Sequence, residues 1–251
     1  KLKDSCKVLH CDETTMQCNH EPNKKATTNS YMWVLVSGDL EKTKGVIFNY
    51  SSSRAEKVAK NLLKNYKGIL ITDGYSGYNN LEDVIHVECW AHARRYFYES
   101  VPLDSNKKMI QTSDGYQGVK MIDELFKIEE EISELEPNKK LEKRKEKSEP
   151  ILKKFYEWVN LTSQKYITNQ KLQKALTYAT NQKECLSKFI EDGRIPLTNS
   201  RAERAIRPFA VHRKNWLFAD TQEGAKANAV YYSLIESAKI NKLNIYKYIN
   251  Y

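Results

Sequence analysis

Two short apolar runs that each stop on an aspartate set the frame for this chain. Lys7-Val8-Leu9-His10-Cys11-Asp12 and Gly68-Ile69-Leu70-Ile71-Thr72-Asp73 are too short for helices and read as buried strands ending in an acid. After the first comes a polar loop, Cys18 to Ser30, rich in Asn, Lys and Thr. Tyr31–Ser37 and Val46–Tyr50 read as two more strands, joined through a turn at Gly38–Glu41. Connections this short predict an antiparallel meander. Val58, Leu62 and Leu63 then mark a helix from about Ser53 to Tyr66, ahead of the strand that ends on Asp73. Gly74–Tyr78 is a Gly-rich turn, Val84–Cys89 a fifth strand, and Trp90–Ser100 a helix carrying Arg94 and Arg95.

A meander followed by βα units predicts an α/β fold, a mixed five-stranded sheet with helices on both faces. A right-handed crossover through the Ser53–Tyr66 helix makes the first and fourth strands neighbours, and brings Asp12 near Asp73. Ligands in open sheets of this kind collect at the carboxyl ends of strands.

From Val101 to Ile195 the pattern changes to helices. Met121, Leu125, Ile128, Ile132 and Leu135 are spaced 4, 3, 4 and 3, an amphipathic stripe. The run from Asn138 to Ser148 mixes Lys with Glu and reads as a solvated helix face or loop. We therefore divide the chain into a first core part (1–100), an all-helical insertion (101–195) and a closing part (196–251). The last long helix, Glu223–Lys242, has Ala227, Val230, Tyr231, Leu234, Ile235 and Ala238 on its apolar side.

Charge points to the class of partner. With 41 basic against 32 acidic residues the net charge is +9, which favours a polyanion. Five cysteines at 6, 11, 18, 89 and 185 form no regular framework, so a reducing compartment, the cytoplasm, is expected. No apolar run approaches the ~20 residues of a membrane helix, and no signal peptide is recognisable. The chain opens on Lys1 rather than Met, as a piece of a longer protein would.

The segment Pro196–Phe218 concentrates that charge. From Arg194 onward it sets one acid, Glu203, among Arg194, Arg201, Arg204, Arg207, Arg213 and Lys214. Ser200-x-x-Glu203 reads as a capping box at a helix start, and Pro208 is expected to end or kink that helix. The other reading makes Glu203 a metal ligand that acts with Asp12 and Asp73. Three carboxylates at one sheet edge repel one another unless a cation sits between them. Two Mg²⁺ ions ~3.5–4 Å apart relieve that repulsion and equip the site for in-line displacement at phosphorus. Hard cations prefer such oxygen donors to Cys or His. For Asp12 and Asp73 the simpler reading is a loop acid that caps a turn.

Arg201, Arg204 and Arg207 recur every third residue on one helix side and repel one another until an anion arrives. Arg213, Lys214 and Trp216 combine cations with a flat ring that stacks on a base or, alternatively, packs in the core with Leu217 and Phe218. Arg94 and Arg95 read either as phosphate contacts or as surface charge. Cys89-x-x-His92 supplies two ligands only, short of a zinc site.

The motifs CDETT at 11–15, TDGYSGY at 72–78, CWAHARR at 89–95 and PLTNSRAERAIRP…RKNWLF at 196–218 resemble the catalytic domain of transposases of the insertion sequence sixty-six family. So does the tail YSLIESAKINKLNIYKYI at 232–249. The resemblance covers nearly the whole chain. It implies an RNase H-like fold, interrupted by a helical insertion before the Glu, with Asp12, Asp73 and Glu203 as catalytic, metal-binding acids. It also implies two Mg²⁺ or Mn²⁺ ions, cleavage and strand transfer on double-stranded DNA, and a homo-oligomer assembled on element ends and target in the bacterial nucleoid. The family's usual Asp-Asn-Asn ahead of the Glu helix reads Thr198-Asn199-Ser200 here. Its N-terminal zinc-binding and helical DNA-binding regions lie outside this sequence. A plain nuclease of the same fold and a non-catalytic DNA-binding or assembly module are the alternatives.

Overall fold

The structure, a computed structural model, describes residues 2–250 of the 251. The chain divides into two units. One holds the residues through His86 and those from Asn199 onward; the other holds Val87–Thr198. The helix Trp90–Ser100, read from the sequence as the end of the first core part, groups with the second unit.

The strands are β1 (Val8–His20), β2 (Ser30–Ser37), β3 (Val46–Ser51), β4 (Ile69–Thr72), β5 (Ile85–Glu88) and β6 (Phe218–Thr221), all within the first unit except Val87 and Glu88 of β5. Around them run α1 (Leu2–Ser5), α2 (Glu56–Leu62), α9 (Ser200–Trp216), α10 (Gln222–Ile240) and α11 (Ile245–Ile249). The sheet order is β3-β2-β1-β4-β5, with β6 pairing to β1. β1 is antiparallel to β2, as β2 is to β3, while β1 runs parallel to β4 and β6. The sheet is thus mixed, with six strands rather than five. The additional strand follows from the length of β1. The sequence reading stopped it at Asp12, yet its ladder with β2 continues to Met16 opposite Ser30, and Gln17–His20 then pair with β6.

Both faces of the sheet are covered, which is why β2 reads as a continuous apolar run. Met32, Val34 and Val36 pack with Phe48, Ile206 and Phe209 in one cluster. Trp33 and Leu35 turn the other way, to Ala59, Leu63, Leu70 and Tyr78. This period of two holds along β1: Leu9 and Cys11 join the second cluster, Met16 the first.

Two expectations need correction here. Pro208 does not end α9, which runs through it to Trp216, because Ala205, Ile206 and Phe209 are buried on either side of the ring. Of the residues assigned to the apolar side of the last long helix, Ala238 is buried and the others are not. Val230 and Tyr231 are 58% and 57% exposed, while Ala225, Ala229 and Ala238 are buried. The cause is the edge strand β3, whose amides need acceptors. Ser233 Oγ accepts from Phe48 N–H at 2.8 Å, and Ser237 Oγ from Val46 N–H at 3.0 Å. Small and hydroxylated residues therefore face inward.

The second unit is helical: α3 (Trp90–Ser100), α4 (Asp114–Glu131), α5 (Pro137–Lys143), α6 (Glu149–Ser163), α7 (Gln170–Asn181) and α8 (Lys183–Ser187). Trp90, Phe97 and Phe155 form an edge-to-face aromatic core. Arg144, inside the charged run read as solvated, is 1% exposed. Its guanidinium bonds both oxygens of Glu129 at 2.7 Å, and the carbonyls of Phe189, Asp192 and Ile195 at 2.7, 2.9 and 2.8 Å. Among the described residues no helix is long and apolar enough to cross a membrane.

Candidate acid site

Strand register determines where the acids fall. β1 and β4 are parallel, with His10 opposite Ile71, so Asp12 and Asp73 lie two residues further along adjacent strands. Alternation along β1 then separates Asp12 from Glu13. Even positions face α9: His10 meets Asn199 there, and Met16 packs in the α9–α10 cluster. Odd positions face the other way, and Glu13 meets Tyr78 and Arg54.

Asn199 joins α9 to β1. Its side-chain amide donates to the Cys11 carbonyl at 2.8 Å, and its Oδ1 lies 3.1 Å from His10 Nδ1. The first bond fixes which end of the amide is the acceptor, so His10 Nδ1 carries the proton and donates. Burial holds His10 neutral, with its pKa lowered to about 4. Asn199 is therefore the residue before α9 without capping it through its side chain. Asn199 directly precedes the first helical residue, Ser200, and its carbonyl accepts from Glu203 N–H at 3.2 Å. Anchoring the helix start one residue before Asp12 places the first turn, with Glu203, on the Asp12 side of the sheet.

The electrostatics of Asp12 record this crowding. Burial, followed by Glu13, Asp73 and Glu203, raises its carboxyl to about 8, against one opposing bond from Glu13 N–H at 2.8 Å. Glu13 is also pushed up, by burial first and then by Asp73, while Tyr78 and Arg54 hold it down. Asp73 Oδ1 accepts from Tyr75 N–H at 3.1 Å. Beside it, burial keeps His86 neutral, near 4, with Nε2 2.7 Å from Thr72 Oγ1. Glu203 is exposed. Among the described residues the carboxyl groups of Asp12, Asp73 and Glu203 do not all come within 4.8 Å of one another. Asp12 thus has two further oxygen donors, Asp73 and Glu203, near enough to oppose its ionisation. Such a set suits a hard divalent cation, which would offset the cost of ionising Asp12.

The basic residues named from the sequence have different surroundings. Arg204, Arg207 and Lys214 are exposed on α9. Arg201 is bound to the Ser37 carbonyl and to Asp39. Arg213 donates to Thr14 and Thr15 Oγ1, each at 3.0 Å, and so reaches β1 just beyond the acids. Trp216 stands edge-on to Phe209, ring centres 5.5 Å apart. On the second unit Arg94 forms a two-bond pair with Asp123, at 2.5 and 3.1 Å, and Arg95 is exposed. Sequence reasoning missed Glu13, Arg54, Tyr78 and Asn199. A second acid directly after Asp12 was the one signal available for Glu13.

Comparison with known proteins gives this geometry a context. The model of the Transposase IS66 family matches residues 2–227. Two proteins of Sinorhizobium fredii (strain NBRC 101917 / NGR234), the uncharacterized proteins y4hP and y4qI, are each 30% identical, over 94% and 96% of this chain. Those matches cover 45% and 46% of the relatives, so the chain spans just under half their length. A third, y4jD from the same strain, is 27% identical over 95% of this chain and 48% of its own length. Among solved structures the Drosophila P element transposase strand transfer complex aligns over 98% of this chain and 66% of that one. At 13% identity and a TM-score of 0.28, this likeness is too remote to bear on fold or function.

Proposed function

The chain belongs to the IS66 transposase family, and from that premise we propose that its first unit is an RNase H-like catalytic core that cuts and joins DNA strands. The observation that carries this reading is Asp12, an acid pushed up to about 8 by burial and by three neighbouring carboxylates, two of them Asp73 and Glu203. Such a cluster is costly unless a cation is its normal partner. Asp12, Asp73 and Glu203 would hold the divalent ions. Bound Mg²⁺ or Mn²⁺ supplies an activated attacking oxygen and a stabilised leaving oxygen.

The remaining residues bind and orient. Arg204, Arg207 and Lys214 offer exposed charge to the phosphate backbone of duplex DNA, with Arg95 a further candidate. Arg213, held by Thr14 and Thr15, places a cation next to the acids, where a phosphate entering the cluster would meet it. Asn199 keeps the Glu203 turn in place on β1. Element ends and target DNA are the substrates in this reading, with copies of the chain assembling on them.

The test is metal-dependent cleavage and joining of DNA by wild type and by the Asp12→Ala and Asp73→Ala variants. We expect both variants to lose at least a hundredfold in cleavage while still binding duplex DNA. If Asp12→Ala cleaves as wild type does, the acids are not the catalytic centre. Cleaved but never joined products would instead indicate a nuclease.

A further inference from the structure

Asp73 lies past the end of β4, where no ladder bond fixes it. Its loop is held from the side by residues that the three-acid scheme leaves out. Tyr75, whose N–H binds Asp73, donates its hydroxyl to the Arg54 carbonyl at 2.5 Å. The Arg54 guanidinium lies over the Tyr75 ring, 3.8 Å from its centre. The same guanidinium grips Glu13 Oε1 through Nε at 2.6 Å and Nη2 at 2.5 Å. Tyr78, which closes the loop, donates to the other Glu13 oxygen and stands edge-on to Tyr75, ring centres 5.8 Å apart.

We propose that Arg54 is a positioning residue for Asp73: it ties the Asp73 loop to β1 by holding Glu13 with its guanidinium and Tyr75 with its flat face. The inference rests on the acid-site reading above and adds to it what keeps the two aspartates in register. Glu13 is the anchor and not a fourth metal ligand. Its side chain is 1% exposed, on the opposite face of β1 from Asp12, and its oxygens are taken by Arg54 and Tyr78. Losing the guanidinium would strand a buried carboxylate, which is strongly unfavourable, so Glu13 would turn to solvent or to the Asp12 side. Either movement disturbs the cluster. A lysine keeps the charge but loses both the fork and the flat stacking surface. Arg54 is itself 40% exposed, so replacing it leaves most of the core untouched.

The experiment compares wild type, Arg54→Ala, Arg54→Lys and Asp12→Ala. It measures Mn²⁺ affinity by electron paramagnetic resonance, and amide hydrogen exchange in the metal-free protein. Arg54→Ala should weaken Mn²⁺ binding at least tenfold and Arg54→Lys by severalfold. The accompanying rise in exchange should be confined to residues 73–78. Because Arg54→Lys keeps the charge, it decides the matter if Arg54→Ala does not fold. Mn²⁺ affinity within twofold of wild type in the folded Arg54 variants, with Asp12→Ala abolishing binding, overturns the role of Arg54 alone. So does exchange that rises equally across the whole sheet, which would mark a general loss of stability. A wild type without an Asp12-dependent Mn²⁺ site overturns the acid-site reading, and this inference with it.

Discussion

Asp12→Asn should make the metal-free protein more stable. In the fold the Asp12 carboxyl titrates at about 8, against an ordinary value of 3.8, chiefly through burial and then through Glu13 and Asp73. A carboxyl raised in the folded state stabilises the fold only while it keeps its proton. That contribution is complete below the unfolded value and is lost as pH climbs toward the folded one. At ~1.4 kcal/mol per pH unit, the loss at pH 7 is roughly 4 kcal/mol, and it levels off above pH 8. Asparagine is neutral throughout, and its Oδ1 can still accept the 2.8 Å bond from Glu13 N–H. Allowing for relaxation around the site, we expect a gain of about 2–4 kcal/mol at pH 7, or about 5–10 °C in melting temperature for a chain of this size. The assay is denaturant unfolding of wild type and variant with chelator present, from pH 5 to 9. The gap should widen from pH 5 to 8 and then hold. Added Mn²⁺ should stabilise wild type and leave the variant unmoved. A variant no more stable than wild type at pH 8, or a gap independent of pH, would refute the claim that these acids are crowded at a cost.

Two further perturbations test a buried polar support within each unit. Asn199→Ala removes the donor to the Cys11 carbonyl and the partner of His10, both buried, and should cost about 2–4 kcal/mol in denaturant unfolding. It should also lower Mn²⁺ affinity by calorimetry, since the Glu203 turn loses its anchor. Arg144→Met in the second unit strands Glu129 and three carbonyls and should cost about 3–5 kcal/mol. Hydrogen exchange should show that loss in α4–α8 while the sheet of the first unit keeps its protection.

How far the sequence revealed this arrangement depended on how far away each partner lay. Apolar runs and short turns report burial and local connection, so the meander, the parallel pairing of β1 with β4 and the placement of Asp12 beside Asp73 were all legible. Polar residues report a need for a partner without saying where it is. Asn199 looked like part of an ordinary helix start, but its partners His10 and Cys11 are 189 and 188 positions away. Val230 and Tyr231 read as the packed side of α10, yet Ser233 accepts from Phe48, 185 positions back, and this turns them outward. Glu13 lay beyond the strand as read from the sequence, and its partner Tyr78 comes from 65 positions on. Thr14, Thr15 and Gln17 were too polar to read as strand until Arg213 and β6 came to meet them.

These misses share a cause with the site itself. A cluster of acids that must stay polar cannot be held by apolar packing alone, so its supports are buried hydrogen bonds between distant segments. Periodicity in a single sequence carries no trace of such bonds. A polar residue that breaks an otherwise apolar strand, as His10 does on β1, is where a search for the supports of a site in a chain like this should begin.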